Sequence, residues 1–447
     1  MSPLIKKQGE SVKQRFISFL PLILIEIYLG ITLLLYQFGP YPWPTNQKTL
    51  FWILIALYHL AFILGYCFQM KTTYVERSTV SLDTFLLKAV KILLIINLLI
   101  SLITVVRDFS MSSISISGII ERFKFGIQDP SAAYKYKVST VNDAAYGGKI
   151  MTFFLLATSF VPALTIPVGC VFFKKLGIGY KLLLGANILL EIVHYVGIGT
   201  NIGIFTVCLT VVIILAVTYL AKIYRQKVNQ NRLMIIIAVL MVLVIVFLLF
   251  FNTTIGSRLE GDKWLDYSVG GIYPTEDCAL FNYIPKSLQK TAAMITMYTT
   301  QGYYAMSLAL DLPWYPMFGL GGASFVQQYA DKIINISQYS YNERLAAFGW
   351  HPTVNWHSLY LWIANDISFF GVIIYMLLFG FFFAYFYRVS LRSKNCLAIA
   401  IFVSLCIMAF FIPANNQIFG FLVSFAKFIF LIVFYIVYLK TSKKPAK

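Results

Sequence analysis

Apolar residues run through this chain in long stretches, with polar positions gathered between them and not alternating within them. Ten such runs predict membrane-crossing helices, for which roughly 17–25 residues cover a ~30 Å hydrocarbon core. They lie at 16–36, 49–68, 85–106, 150–172, 182–199, 202–220, 233–251, 358–387, 397–411 and 418–438. The eighth is over-long and is expected to begin as a helix outside the membrane. Residues 182–220 form one apolar stretch split at GIGTNIG, where glycines permit a tight turn between two antiparallel helices. The predicted fold is therefore all-α: a polytopic membrane bundle of about ten helices with a large outer loop. Its segments are 1–251 (seven spans, with an outer loop at 107–149), the 252–357 loop, and 358–447 (three spans and a basic tail).

Composition agrees with this pattern. Of 447 residues, 59% are hydrophobic and only 12% charged, against about a quarter charged in soluble domains. The six cysteines are Cys67, Cys170, Cys208, Cys278, Cys396 and Cys406, and only Cys278 falls in an aqueous stretch, so no disulfide framework is expected. Lys6, Lys7, Lys13 and Arg15 precede the first apolar run, which lacks a small-residue cleavage site and reads as a retained span.

Charge sets the expected orientation. With both termini in the cytoplasm, inner segments hold 20 of the 36 Lys and Arg residues and only the acids Glu10, Glu76 and Asp83. Outer segments hold 13 bases against 12 acids. The net charge of +18 is thus almost wholly an inner-face effect that suits anionic headgroups; it is no sign of a nucleic-acid partner.

Inner connections are short, so working parts are expected in the long outer connections at 107–149 and 252–357. The second is rich in Tyr and Trp and reads as ordered. Within it, 291–325 is apolar but studded with Thr, Gln and Tyr, and closes with Pro313 and the turn Gly319-Leu320-Gly321-Gly322. This reads as helices lying in or dipping into the outer leaflet beside a cavity, which suits a lipid-tailed substrate with a polar head.

The outer loops offer few strong cations. Arginine clamps phosphate best, since its planar fork donates paired hydrogen bonds and stays charged. Arg258 and Arg344, placed near the two membrane ends of the second loop, are the first candidates, and Arg122 in the first loop is the third. His357 stands at the mouth of the eighth span, beside Ser358 and Tyr360, and an ordinary imidazole pKa near ~6.5 suits proton transfer. Asp366, nine residues further, falls on the opposite side of a straight helix and ~13 Å deeper. A carboxylate there needs a partner, either Lys427 or backbone N–H groups. Glu191 and His194 share one helix face at i, i+3, and Glu26 stands isolated in the first span. No P-loop, H-E-x-x-H, G-x-S-x-G or Cys/His metal spacing occurs, and no metal or cofactor is expected.

Two stretches carry a resemblance. YTTQGYYAMSLALDLPW at 298–314 is similar to the Q-G-Y-Y-G-L-S-L-A-L run of oligosaccharide repeat-unit polymerases, with Ala305 in place of glycine. His357-Ser358-Leu359-Tyr360-Leu361, followed by Asp366 and Gly371, is similar to H-N-x-Y-L…E-x-G-x-x-G of O-antigen ligases, with Ser358 for Asn and Ser368 for the first glycine. Asp366 to Gly371 also resembles the polymerases' D-F-G-x-x-G. With its topology, the chain resembles the bacterial O-antigen polymerase and ligase superfamily. Members often carry an arginine after the glycine hinge of the split span pair; here that residue is Asn201.

The resemblance implies a metal-independent, inverting glycosyltransferase in the bacterial inner membrane, joining sugar repeats carried on undecaprenyl diphosphate at the periplasmic face. Its partners would be the lipid-linked glycan donor and acceptor, membrane lipid, and chain-length regulator and flippase proteins. Arg258, Arg344 and Arg122 would hold diphosphate and His357 would deprotonate the attacking hydroxyl. Trp264, Tyr303, Tyr304, Trp314 and Trp350 would stack on sugar rings, with Gln301, Asp366 and Asn201 in support. A ligase is one alternative, sharing the histidine motif but lacking the Q-G-Y-Y run. A flippase or transporter is the other, and predicts ligand groups at the membrane midplane.

Overall fold

A computed structural model of the chain describes residues 11–75, 77–142, 148–225 and 263–442. The seventh predicted span, at 233–251, and Arg258 lie outside the described residues. The helices are α1 (Val12–Phe38), α2 (Lys48–Lys71), α3 (Val80–Asp108), α4 (Ile116–Gln128), α5 (Pro130–Asn142), α6 (Gly148–Thr158), α7 (Phe160–Val171), α8 (Ile178–Gly197) and α9 (Asn201–Tyr224). After them come α10 (Lys286–Ala309), α11 (Ser324–Ile334), α12 (Tyr341–Arg344), α13 (Leu359–Ser393), α14 (Cys396–Phe410) and α15 (Leu422–Thr441). No β-strand forms among the described residues.

Seven helical stretches are long and apolar enough to cross a membrane: α1, α2, α3, 150–171, α9, α13 and α15. α14 is apolar but shorter. α8 fills the predicted fifth span, and its Lys181, Asn187, Glu191 and His194 make it the more polar member. Outward faces carry exposed Leu24, Ile27 and Leu34 on α1, Ile92 and Leu99 on α3, and Ile374 and Phe382 on α13. Apolar bands of this extent need lipid, since burial in water-exposed form would leave them uncovered. The chain is a multi-pass, all-α membrane bundle.

The tightest seam runs between α2 and α13. A Cβ on Gly65 would stand 1.9 Å from the Leu377 carbonyl oxygen, and one on Gly380 2.1 Å from that of Phe62. Only glycine lets two backbones approach so closely, the small-residue contact common between membrane helices. Phe62 then packs on Phe379 and Phe383, and Tyr58 donates to the Phe369 carbonyl at 2.7 Å.

At one end of the bundle the basic connections converge. Arg388 donates to the carbonyls of Gln69 (3.1 Å) and Thr72 (2.8 Å). Arg225 reaches the Arg392 carbonyl and Arg77 that of Leu439. Arg388 and Arg392 also stack on Tyr74. These cations satisfy the last carbonyls of helices, which have no partner within the helix. We call this the basic end, and the opposite one the loop end.

The predicted 107–149 loop contains two helices, of which α4 packs on α8. Gly199, at φ 63°, makes the expected turn between α8 and α9, and a Cβ there would meet the Pro130 carbonyl at 2.1 Å.

Candidate functional site at the loop end

At 35 residues α13 would reach about 52 Å if straight, more than a bilayer core requires. It is not straight. Ser368 has φ 64° and ψ 167°, which divides a short leading segment from the part that spans. An L-residue rarely adopts that backbone, at a cost of roughly 1–3 kcal/mol. The over-long eighth span thus begins as a separate helical segment, as its length predicts.

The irregular stretch between α10 and α11 wraps around the end of that segment. Asp366 Oδ1 accepts the backbone N–H groups of Gly319 and Gly321, both at 2.8 Å. This is the backbone pairing, and not Lys427, that an apolar setting demands of a carboxylate. The break also ends the straight-helix geometry on which a ~13 Å offset from His357 was reckoned. Asn365, fully buried, donates to the Gly321 carbonyl (3.1 Å) and to Asn342 Oδ1 (2.7 Å), and accepts the Tyr341 N–H (2.8 Å). Its own carbonyl takes the Trp314 indole N–H (3.2 Å) and the Met317 N–H (3.3 Å). Gln327 and Asn416 cap the carbonyls of Gly321 and Gly322. Irregular backbone is tolerable at a membrane only when its polar groups are met in this way.

Arg344 sits on this knot. Its Nη1 donates to the Pro313 carbonyl at 2.6 Å. Its guanidinium lies over the rings of Tyr315 (4.7 Å) and Tyr341 (5.8 Å). Three carboxylate pairs occur among the described residues, and none includes Arg344. The cation is half-buried, so it is positioned by rings and a carbonyl, with no carboxylate beside it among the described residues. Around it Trp314, Tyr315, Phe318 and Tyr339 stand exposed.

The two stretches behind the resemblance meet. A Cβ on Gly302 would stand 2.2 Å from the Pro413 carbonyl oxygen and 2.7 Å from the Ser358 nitrogen, so this crossing needs glycine. Gln301 Oε1 accepts the Trp356 N–H at 3.1 Å. The Leu359 N–H reaches the Ile412 carbonyl at 2.8 Å.

That packing corrects the expected exposure of His357. The ring is 2% exposed, and burial drives its pKa down to about 3 against the ordinary 6.5, a hydrogen bond to the Asn355 backbone opposing the shift. It is therefore a neutral imidazole in the interior, whose Nε2 has no hydrogen-bond partner among the described residues. No hydrogen bond or ring contact joins His357 to Arg344 among the described residues.

The expected sugar-stacking aromatics divide likewise. Tyr303, Tyr304, Trp264 and Trp350 are buried; Trp314, at 41%, is exposed. Trp43 stacks on Tyr304 and Trp350 meets both edge-on, with centroids 5.1–6.0 Å apart, and Tyr303 binds Thr32 at 3.0 Å. These rings form the core that holds the loop in place, because large amphipathic side chains gain most by burying their faces.

Arg122 belongs elsewhere, stacked on Tyr136 at 4.0 Å. Near its helix pair, Asp108 accepts from Arg107 Nε (2.6 Å) and His194 Nε2 (2.8 Å), so His194 pairs across to α3 and not with Glu191. Asn201 opens α9, its Oδ1 buried without a partner among the described residues. Sequence reasoning missed Asn365, the two tyrosines around Arg344, and His59, whose Nδ1 lies 2.6 Å from Glu26 Oε2 in the bundle interior. A lone histidine inside an apolar run was the available signal for the last. No protein-family model matches the chain, and neither a curated protein nor a solved structure does.

Proposed function

We propose that the chain is a glycosyltransferase that polymerises lipid-diphosphate-linked oligosaccharide repeats into a surface polysaccharide, at the periplasmic side of a bacterial inner membrane. The observation that carries this reading is Arg344: a fixed guanidinium, in no carboxylate pair among the described residues, on an ordered irregular segment among exposed aromatics. A diphosphate leaves as a stabilised anion, so a preorganised cation does most of what its departure needs. Two details support the resemblance from which the substrate class comes. Ser368, which takes the place of a motif glycine, has the positive φ that glycine favours. Gly302 of the Q-G-Y-Y run stands where no larger residue fits.

In this reading the donor's diphosphate docks at Arg344 and its first sugar rests against Trp314. The attacking hydroxyl of the next lipid-linked repeat bonds to the anomeric carbon as the diphosphate oxygen takes the bonding electrons, inverting that centre. The hydroxyl proton passes to the departing diphosphate, because His357, buried in the interior with its pKa lowered to about 3, is too enclosed and too weak a base to take it. The test is deletion of the gene with gel display of surface polysaccharide. A single capped repeat is the expected result. Polymer stranded on its carrier would mean a ligase instead. A transport reading draws on a different observation, the Glu26–His59 pair in the bundle interior, and an unchanged gel would favour it.

A further inference from the structure

Glu26 lies near the middle of α1 and His59 near the middle of α2. Their side chains are 21% and 15% exposed, and they share a 2.6 Å contact. An isolated ion at such depth is costly, whereas a pair sharing a proton carries no net charge. The pair is also incomplete. Among the described residues Glu26 Oε1 and His59 Nε2 are buried without a hydrogen-bond partner, and so is the hydroxyl of Tyr360. Tyr360 is 1% exposed, its ring is 4.7 Å from that of Tyr58, the neighbour of His59, and it lies within electrostatic reach of Glu26 and Tyr303. Several polar atoms facing one another are what a bound water or hydronium requires. Among the described residues no group of three His, Cys, Asp or Glu side chains is able to hold a metal.

Among the described residues, hydroxyl groups lead from here towards the loop end. Tyr303 meets Thr32 at 3.0 Å; since the Thr32 hydroxyl donates to the Leu29 carbonyl, Tyr303 is the donor. Tyr36 packs edge-on against Tyr303 and binds Thr45 at 2.9 Å. Tyr36 and Thr45 line a surface cleft of about 320 Å³ with Trp43 and Lys48. Towards the basic end, Tyr66 and Tyr387 are tied to the carbonyls of Ser18 and Ile17, and Phe62, Phe379 and Phe383 fill the seam.

We infer that Glu26 and His59 form an intramembrane proton-binding site, completed by Tyr360 and reached from the loop end along Tyr303, Thr32, Tyr36 and Thr45. The titratable side chains within reach of the pair are Tyr303 from α10 and Tyr360 from α13, with Tyr58 of α2 against Tyr360. The inference stands whether or not the chain transfers glycans.

The full chain, labelled with 15N-histidine and held in lipid nanodiscs, provides the test. Its four histidines give few ring signals, and His59→Gln identifies the one sought. Between about pH 4 and about pH 9 the His59 ring nitrogen signals are expected to respond to pH, with a midpoint that changes in Glu26→Gln because Nδ1 loses its carboxylate partner. Should Glu26→Gln fail to insert, Tyr360→Phe gives the same readout with a smaller shift. In oriented vesicles, an acid jump on the loop side should protonate His59 sooner than one on the basic side. Invariant His59 signals, or a midpoint indifferent to Glu26 and Tyr360, would overturn the site; equal rates from both sides would overturn the route.

Discussion

The two ends of the bundle use the same side chain in opposite ways. At the basic end Arg388, Arg392, Arg225 and Arg77 are spent on helix carbonyls and on tyrosine faces. Arg388 in particular is buried and joined to two carbonyls and the Thr72 hydroxyl. At the loop end Arg344 also has tyrosine faces, but only one carbonyl, and it stays half-open. No carboxylate pair includes Arg344 among the described residues. Charge alone therefore does not mark a ligand site; what matters is how many of its donors the protein has already used.

The sharpest way to break that contrast is to remove each cation in turn. Arg344→Ala is expected to lower polymer formation by on the order of 100- to 1,000-fold, with the melting temperature in detergent nearly unchanged. Arg344→Lys should recover little, since a point charge replaces a planar fork. Arg388→Ala should do the reverse, destabilising the protein by roughly 1–3 kcal/mol through orphaned buried carbonyls while surviving molecules polymerise normally. Equal melting losses in both variants would erase the distinction between anchor and clamp.

Next in size is the knot beneath Arg344. Asp366→Ala removes one acceptor from two backbone donors and should cost roughly 2–3 kcal/mol, read as faster proteolysis within 313–323. Asp366→Asn keeps an acceptor without the charge and should lose about half as much. If both variants resist protease like the parent, the carboxylate does not organise this segment.

How much of this was legible beforehand depended on the reach of the pattern involved. Apolar runs declare themselves locally, so α1, α2, α3, α9, α13 and α15 could be read from a window of residues. Gly302 and Ser368 were visible as motif positions, but their reason was not. It lies in Pro413 and Ser358 crossing α10, and in the turn of α13, each set by contacts distant in sequence. The aromatics of the large loop misled because composition cannot tell a ring offered to a sugar from one packed on another ring. Trp314 and Trp350 look alike in sequence and differ only in what covers them. Glu26 seemed isolated for the same reason, since its partner sits on the neighbouring helix.

His357 sharpens the comparison through pH. Its pKa near 3 in the fold lies below the ordinary 6.5, so between these values the unfolded chain binds more protons than the folded one. Stability from the neutral ring is complete above about pH 6.5 and is lost as pH falls, by at most ~1.4 kcal/mol per unit. Acid melting of the parent should be steeper than that of His357→Phe across this window. Parallel curves would mean that the ring is hydrated in solution.

The smallest effect concerns the break in α13. Ser368 holds a backbone that suits glycine, and Ser368→Gly relieves that strain while widening the choices of the unfolded chain, two contributions of opposite sign. Strain relief should prevail, since the Ser368 hydroxyl accepts only a long bond from the Gly371 N–H, at 3.3 Å. A net gain of about 1 kcal/mol is expected in thermal melting, with polymer length unchanged. Ser368→Ala, which keeps the strain and loses the hydroxyl, should fall below the parent. Were alanine instead to match glycine, the left-handed turn would carry no strain, and the kink would be held by Asp366 and its glycine loop alone.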